Sequence, residues 1–208
     1  MRDVCKECNN GWMAHTLETP VIPILTPMIR STGFRFLSPA DQKLLSTWAY
    51  KTALMTDRVY LTPILPLEYF RDFYEYRTPP HNAIIDLAGY GGSPTWNQHK
   101  GVLDRASTAS CLTCTFTFNI WHVLFRVSIW EVELLTTPGG PKPAGPAGTT
   151  RIYPSDNPTV AWPSVVFPDI RAFDTFAGET DVPWKVGRIP PRTVTQDARR
   201  LFGEPGDA

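Results

Sequence analysis

The sequence has no excess of charge of either sign. Its 208 residues include 20 Lys and Arg against 20 Asp and Glu, so the formal net charge is zero. A protein that holds duplex DNA mainly through phosphate contacts usually carries a basic excess. The composition therefore gives no support for nucleic-acid binding, and any basic surface has to be local.

The sequence also lacks a long hydrophobic run. The most apolar stretch, residues 116–129, is interrupted by Asn119, His122 and Arg126 and is too short to span a bilayer. The residues after Met1 are charged and polar, unlike the apolar segment of a signal peptide. Because 42% of the residues are hydrophobic, the chain can still bury a sizeable core. We expect a soluble, cytoplasmic protein without membrane contacts.

Helix signals are concentrated in the first half of the chain. Ser38 is a good N-cap, Pro39 suits the first helical position, and Asp41 stands where a capping box has its acid. The apolar stripe of this helix contains Leu44, Leu45, Trp48, Ala49, Thr52 and Met55. A second helix is predicted over residues 66–76, with four inward side chains: Leu67, Phe70, Phe73 and Tyr74.

The N-terminal residues give mixed signals. A helix is predicted to begin at Asn9 or Asn10 and to bury Trp12, Met13 and Leu17. The three prolines at positions 20, 23 and 27 predict that residues 19–29 do not form a regular helix.

The second half has strand signals. Residues 82–90 form a short apolar run, and residues 111–134 alternate as a hairpin with Asn119 in or near its turn and Trp121 in its second strand. One predicted face of the first strand contains Leu112, Cys114, Phe116 and Phe118, and the opposite face contains Thr113, Thr115 and Thr117. This alternation of apolar and polar residues, with a period of two, is typical of a half-buried strand.

These patterns predict an α+β fold with helices in the first half and antiparallel strands in the second. The predicted segments are a partial zinc-knuckle segment at 1–30, an α+β core at 31–137, a Pro/Gly linker at 138–150, C-terminal strands and a short helix packing on the core at 151–180, and a mobile tail at 181–208. Ile170, Phe173 and Phe176 are predicted to face inward from that short helix.

The sequence contains only four cysteines, in two Cys-x-x-Cys pairs. Structural zinc requires four thiolate or imidazole ligands, so the pair Cys5 and Cys8 supplies half a site, and His15 is the nearest alternative ligand. Cys111 and Cys114 complete the site only if a bulge separates them, because residues three apart on a strand point to opposite faces. Otherwise Cys114 is a small core residue.

The stretch "VCKECNNGWM" at residues 4–13 resembles the metal site of a bacterial and phage group of HNH endonuclease-like proteins. The helix "LSPADQKLLSTWAYKTAL" and the later "IYP…WP" segment also resemble that group, so the likeness extends to about Phe176. The first stretch is the specific part of this resemblance.

The resemblance implies a site, a set of cofactors and a partner. In the HNH family a histidine activates water against a phosphodiester of DNA while a divalent cation such as Mg²⁺ stabilises the leaving oxygen. Cys5 and Cys8 match the second of two cysteine pairs that hold a structural zinc, and Asn9 or Asn10 matches the family asparagine. His15 is the one local candidate for a recruited base, although one histidine cannot reproduce the opposed geometry.

The sequence departs from the family at its start. The first cysteine pair and the strand with the general-base histidine precede the position of Cys5 in the family. Either the protein begins upstream of Met1, or it is a degenerate member. We therefore expect the 208 residues to be deficient in nuclease activity. The alternative from another class is a non-enzymatic protein that binds a protein or nucleic acid through its hairpin and exposed aromatic residues.

Overall fold

The computed structural model describes residues 9–30, 33–59, 63, 65–92, 96–104, 112–130, 148–155 and 157–172. The helical elements in chain order are α1 (Asn9–Glu18), α2 (Thr19–Arg30), α3 (Pro39–Val59) and α4 (Leu67–Tyr76). The strands are β1 (Arg35–Leu37), β2 (Ala83–Tyr90), β3 (Trp96–Asp104), β4 (Leu112–Ile120), β5 (Val123–Trp130), β6 (Thr150–Tyr153), β7 (Val160–Trp162) and β8 (Val166–Phe167). The predicted α+β class, with helices first and an antiparallel sheet after them, is confirmed.

The N-terminal helices differ from the prediction at the prolines. α2 is helical from Thr19 to Arg30 although Pro23 and Pro27 lie inside it. An interior proline costs a helix about 3 kcal/mol. Four side chains of α2 are nearly or fully buried, Val21, Leu25, Met28 and Ile29, and burying one such side chain contributes about 1.5–3 kcal/mol. Tertiary burial therefore outweighs the proline penalty, and the prediction of irregular structure was wrong.

The start of α3 confirms the predicted capping box. The Ser38 hydroxyl accepts a hydrogen bond from the Asp41 amide at 3.2 Å. In return, one Asp41 carboxylate oxygen accepts from the Ser38 amide at 2.9 Å and from its hydroxyl at 2.7 Å. These bonds satisfy backbone donors that a helix N-terminus otherwise leaves open.

α4 has a narrower buried face than the sequence indicated. Phe73 is buried, but Leu67 is 67% exposed and Tyr74 is 55% exposed, so their predicted inward orientation was wrong. The inward direction is set by Tyr69, Phe70 and Phe73, which pack on the core. At about 100° of rotation per residue, Leu67 and Tyr74 each lie roughly 100–120° away from Phe73.

The main sheet has the strand order β3-β4-β5-β2-β6, with every neighbouring pair antiparallel and β8 pairing in parallel with β2. The predicted hairpin is β4–β5. Its turn is Trp121–His122, so Asn119 lies inside β4 and Trp121, with φ of 50°, is not in the second strand as predicted. β1 and β7 form a separate two-stranded sheet.

Both faces of β4 are covered, which the sequence did not predict. On one face, Cys114, Phe116 and Phe118 belong to the hydrophobic core that the helices share. On the other face, Thr115 and Thr117 are 2% and 0% exposed. The expectation of a half-buried strand was therefore wrong for the described side chains of β4.

Several predicted segments lie outside the described residues. These are residues 1–8, residues 138–147 of the predicted linker, and the chain from residue 173, including Phe173, Phe176 and the predicted tail. In the described part of the predicted C-terminal short helix, Ile170 is 45% exposed, so its predicted inward orientation was wrong.

Candidate functional site

The helical segment α1 directly follows Cys5 and Cys8 in the sequence, and its Trp12 packs against α4. Trp12 lies 5.6 Å from the Phe73 ring and 6.4 Å from the Tyr74 ring, centroid to centroid. The Arg77 guanidinium lies 5.1 Å from the Trp12 ring, a cation–π contact. Because these three partners lie on α4 or directly after it, α1 is anchored to the end of α4.

The two polar candidates of α1 that the structure describes remain accessible to solvent. Asn10 and His15 are both exposed, and Met13 and Leu17 are buried as predicted. Gly11 has a non-helical backbone conformation, with φ of −95° and ψ of −114°. This kink separates the asparagines from the rest of α1.

A cleft of about 280 Å³ opens beside α1. Its described lining residues include two cations, Lys43 from α3 and Arg77 after α4, and two hydroxyl side chains, Thr16 and Thr47. None of these described lining residues is acidic. Lysine and arginine at one cleft can bind the oxygens of a phosphate through charge-assisted hydrogen bonds. Lys43 and Arg77 therefore make this cleft locally basic, although the chain has no net charge.

The structure places the candidate metal ligands apart from one another or does not describe them. Cys5, Cys8 and Cys111 lie outside the described residues, as does the side chain of Asn9. Cys114 is 1% exposed inside the hydrophobic core, as the core alternative predicted. Over the described ranges, no three His, Cys, Asp or Glu side chains are grouped so that they could hold a metal ion.

His122 is half-buried in the β4–β5 turn. Its Nδ1 lies 2.8 Å from the Tyr90 carbonyl oxygen, and since a carbonyl only accepts, this nitrogen carries the proton. The ring therefore has a structural function in the turn.

A buried charged row crosses the second face of the main sheet. Asp86 pairs directly with Arg126 of β5 and with Arg151 of β6 in the strand register, and the Arg151 Nε donates to the Asp86 carboxylate at 3.2 Å. Burial raises the pKa of the Asp86 carboxyl, while Arg151 and Arg126 act to lower it. The sequence gives no local sign of this pairing, because the partners of Asp86 come from strands distant in the chain.

Sequence reasoning also missed Lys43 and Arg77 as members of one cleft. Lys43 reads as an ordinary exposed helix residue, and Arg77 ends α4 in the left-handed region with φ of 55°. No local pattern brings two such residues together, because the contact depends on how α1, α3 and α4 pack.

Comparison with known proteins yields no match to a family model, a curated protein or a solved structure. In the part of the chain that the structure describes, no helix combines the length and the apolar composition needed to cross a bilayer.

Proposed function

We propose that this chain is an HNH endonuclease-like protein whose α1 segment and adjoining basic cleft contact nucleic acid. The proposal rests on the resemblance of residues 4–13 to the HNH group. In the fold, the proposal is supported by the cleft that Lys43 and Arg77 line, because this cleft opens beside the same segment. A phosphate backbone is the ligand that such a cleft suits in a protein of this kind.

The proposed site has separate structural and phosphate-binding parts. Cys5 and Cys8 would provide two of the four ligands of a structural zinc, and a bound zinc would hold together the residues before α1. Trp12 orients α1 on α4 through its contacts with Phe73 and Arg77. Lys43 and Arg77 would then neutralise phosphate charge beside α1.

Nucleic-acid binding is tested by removing both cations of the cleft. In the variant Lys43→Gln/Arg77→Gln we expect affinity for a short DNA duplex to fall about tenfold, and the slope of log K against log salt to decrease by about 2, since two phosphate contacts are lost. Fluorescence anisotropy across a salt series measures both quantities.

The matched control removes the same charge elsewhere. Arg71 and Arg171 are exposed and do not line this cleft, so Arg71→Gln/Arg171→Gln should leave the salt slope nearly unchanged. Equal losses in the two double variants would show that any binding is nonspecific, and the cleft would have no special function.

Cleavage is a separate prediction. Because no residue of the sequence matches the general-base histidine of the HNH family, we expect the 208-residue chain not to nick supercoiled plasmid above background with Mg²⁺, Mn²⁺ or Ni²⁺. Zinc should be quantified in the same preparation. Metal-dependent nicking that disappears in Asn10→Ala would contradict the deficiency and would make His15 the next residue to test.

A non-enzymatic protein-binding function is the second candidate. The hairpin does not support it, since the described side chains of β4 and β5 are buried or half-buried. The favouring observation is an aromatic pair at β1, where Phe34 and Phe36 are 66% and 67% exposed with ring centroids 4.9 Å apart. A metal-free monomer that keeps its partner after Cys5→Ala, and loses it after Phe36→Ser, would favour this candidate over the first.

A further inference from the structure

A second, larger cleft of about 630 Å³ lies between α4, the residues that follow it, and β6. Its lining is rich in tyrosine and includes two acids. The lining residues that concern its chemistry are Tyr50, Tyr69, Tyr76, Tyr153, Glu68 and Asp72. Clefts of this size commonly hold small ligands or single side chains of a partner.

Tyr50 leaves a polar atom unsatisfied at this cleft. Its side chain is almost fully buried, at 1% exposure, and its hydroxyl has no hydrogen-bond partner among the described residues. Burial raises the pKa of Tyr50, and Tyr69, Asp72 and Tyr153 raise it further. Tyr50 is itself one of the residues that line the cleft, as are these three neighbours. It remains a neutral phenol whose oxygen can accept a hydrogen bond.

Two other tyrosine hydroxyls at the cleft have partners within the fold. The Tyr153 hydroxyl donates to the Pro79 carbonyl oxygen at 2.7 Å, and the Tyr69 hydroxyl oxygen accepts from the Asn82 amide at 3.1 Å. These bonds hold both rings in place. Fixed aromatic rings beside a buried acceptor form a preorganised surface for a cation.

The cleft is lined by two carboxylates and by His81, the one histidine among its described lining residues. Glu68 and Asp72 are spaced four residues apart on α4, so they lie on one side of the helix. The described lining residues include no Lys or Arg. The Arg71 Nε lies 3.6 Å from the Asp72 carboxylate, and both side chains are more than half exposed. Such an exposed pair is weak, so the carboxylate remains open to a competing cation.

We propose that this cleft binds a guanidinium group. Guanidinium presents planar N–H donors that can reach the Tyr50 oxygen and the two carboxylates, and its flat face stacks on tyrosine rings. A quaternary ammonium lacks N–H donors and leaves Tyr50 unsatisfied, and an anion meets two carboxylates. The guanidinium can come from a free small molecule or from the arginine side chain of a peptide, because both present the same group.

Titration calorimetry of the full 208-residue chain tests the proposal with three probes. The probes are free L-arginine, the capped tripeptide Gly-Arg-Gly, and the same tripeptide with neutral citrulline in place of arginine. We expect the arginine peptide to bind with a dissociation constant on the order of 1 mM or tighter, and the citrulline peptide to bind at least about tenfold more weakly. Arginine and peptide of equal affinity would assign the small-molecule source, and a stronger peptide would assign the peptide source. Citrulline binding equal to that of arginine would overturn the proposal.

Three variants locate the bound group. Tyr50→Phe should weaken binding about threefold to tenfold without lowering the thermal midpoint, because it removes only a hydroxyl that is unsatisfied. Asp72→Asn should weaken binding by a similar factor. Asp169→Asn is the control, since Asp169 is an exposed acid that does not line the cleft. If Asp72→Asn and Asp169→Asn bind equally, the cleft is not the site and the proposal fails.

Discussion

Replacing Trp162 with alanine is expected to lower the free energy of unfolding by about 3–5 kcal/mol, the usual range for a fully buried tryptophan. Trp162 is 0% exposed. It lies on β7, where it pairs with Arg35 of β1, and its indole Nε1 donates to the Ala88 carbonyl oxygen of β2 at 3.3 Å. This side chain therefore joins the two-stranded sheet to the main sheet, and its loss leaves a large cavity between them.

Two controls separate packing from other effects of the Trp162 substitution. Trp162→Phe retains an aromatic ring but loses the hydrogen bond to Ala88, so a loss of about 1–2 kcal/mol is expected. Phe36→Ala removes an aromatic side chain from β1 that is 67% exposed and should change the free energy by less than about 0.5 kcal/mol. Urea unfolding followed by circular dichroism measures all three. If Trp162→Ala costs no more than Trp162→Phe, the connection between the sheets does not depend on packing.

The helix and strands that were predicted correctly are each specified by residues that lie close together in the sequence. The Ser38–Asp41 capping box and the apolar spacing after it define α3, and the alternation before and after the Trp121–His122 turn defines β4 and β5. Each of these signals comes from neighbouring residues, so it does not depend on how the rest of the chain packs.

The elements that the sequence missed depend on contacts between distant segments. α2 is helical because its buried face compensates for Pro23 and Pro27. β3 has little apolar alternation but pairs with β4 over nine consecutive residue pairs from Trp96 to Asp104, so its extended conformation follows from the ladder. The cleft beside α1 was missed for the same reason, because only the packing of the helices brings Lys43 and Arg77 to one cleft.

The second large effect is expected at the buried charged row. Arg151→Met should lower the free energy of unfolding by about 3 kcal/mol at pH 7, since Asp86, which is 3% exposed, loses the cation that donates to it at 3.2 Å. Methionine keeps much of the apolar stem of arginine, so lost packing contributes little. Arg126 still faces Asp86 from β5, which limits the loss.

The pH dependence of this loss has a definite sign. Burial already raises the pKa of Asp86 above its ordinary value of 3.8, and Arg151 acts against that rise. Without Arg151 the pKa of Asp86 rises further. A carboxyl with a raised pKa in the folded state contributes stability that is complete below the ordinary pKa and is lost as pH rises through the raised value. The defect of Arg151→Met should therefore be largest near neutral pH and should shrink as the solution is acidified toward pH 4.

The double variant Arg151→Met/Asp86→Asn separates ionisation from geometry. Asparagine keeps the shape of the side chain but cannot ionise, so at pH 7 the double variant should be more stable than Arg151→Met alone, and its difference from wild type should vary less with pH. Arginine stays charged over this whole range and adds no pH dependence of its own. Urea unfolding of the wild type and both variants at pH 4, 5, 6 and 7 provides the comparison. A defect of equal size at pH 4 and pH 7 would show that Asp86 does not depend on Arg151 for its charge, and the row would then stabilise the sheet through packing and hydrogen-bond geometry.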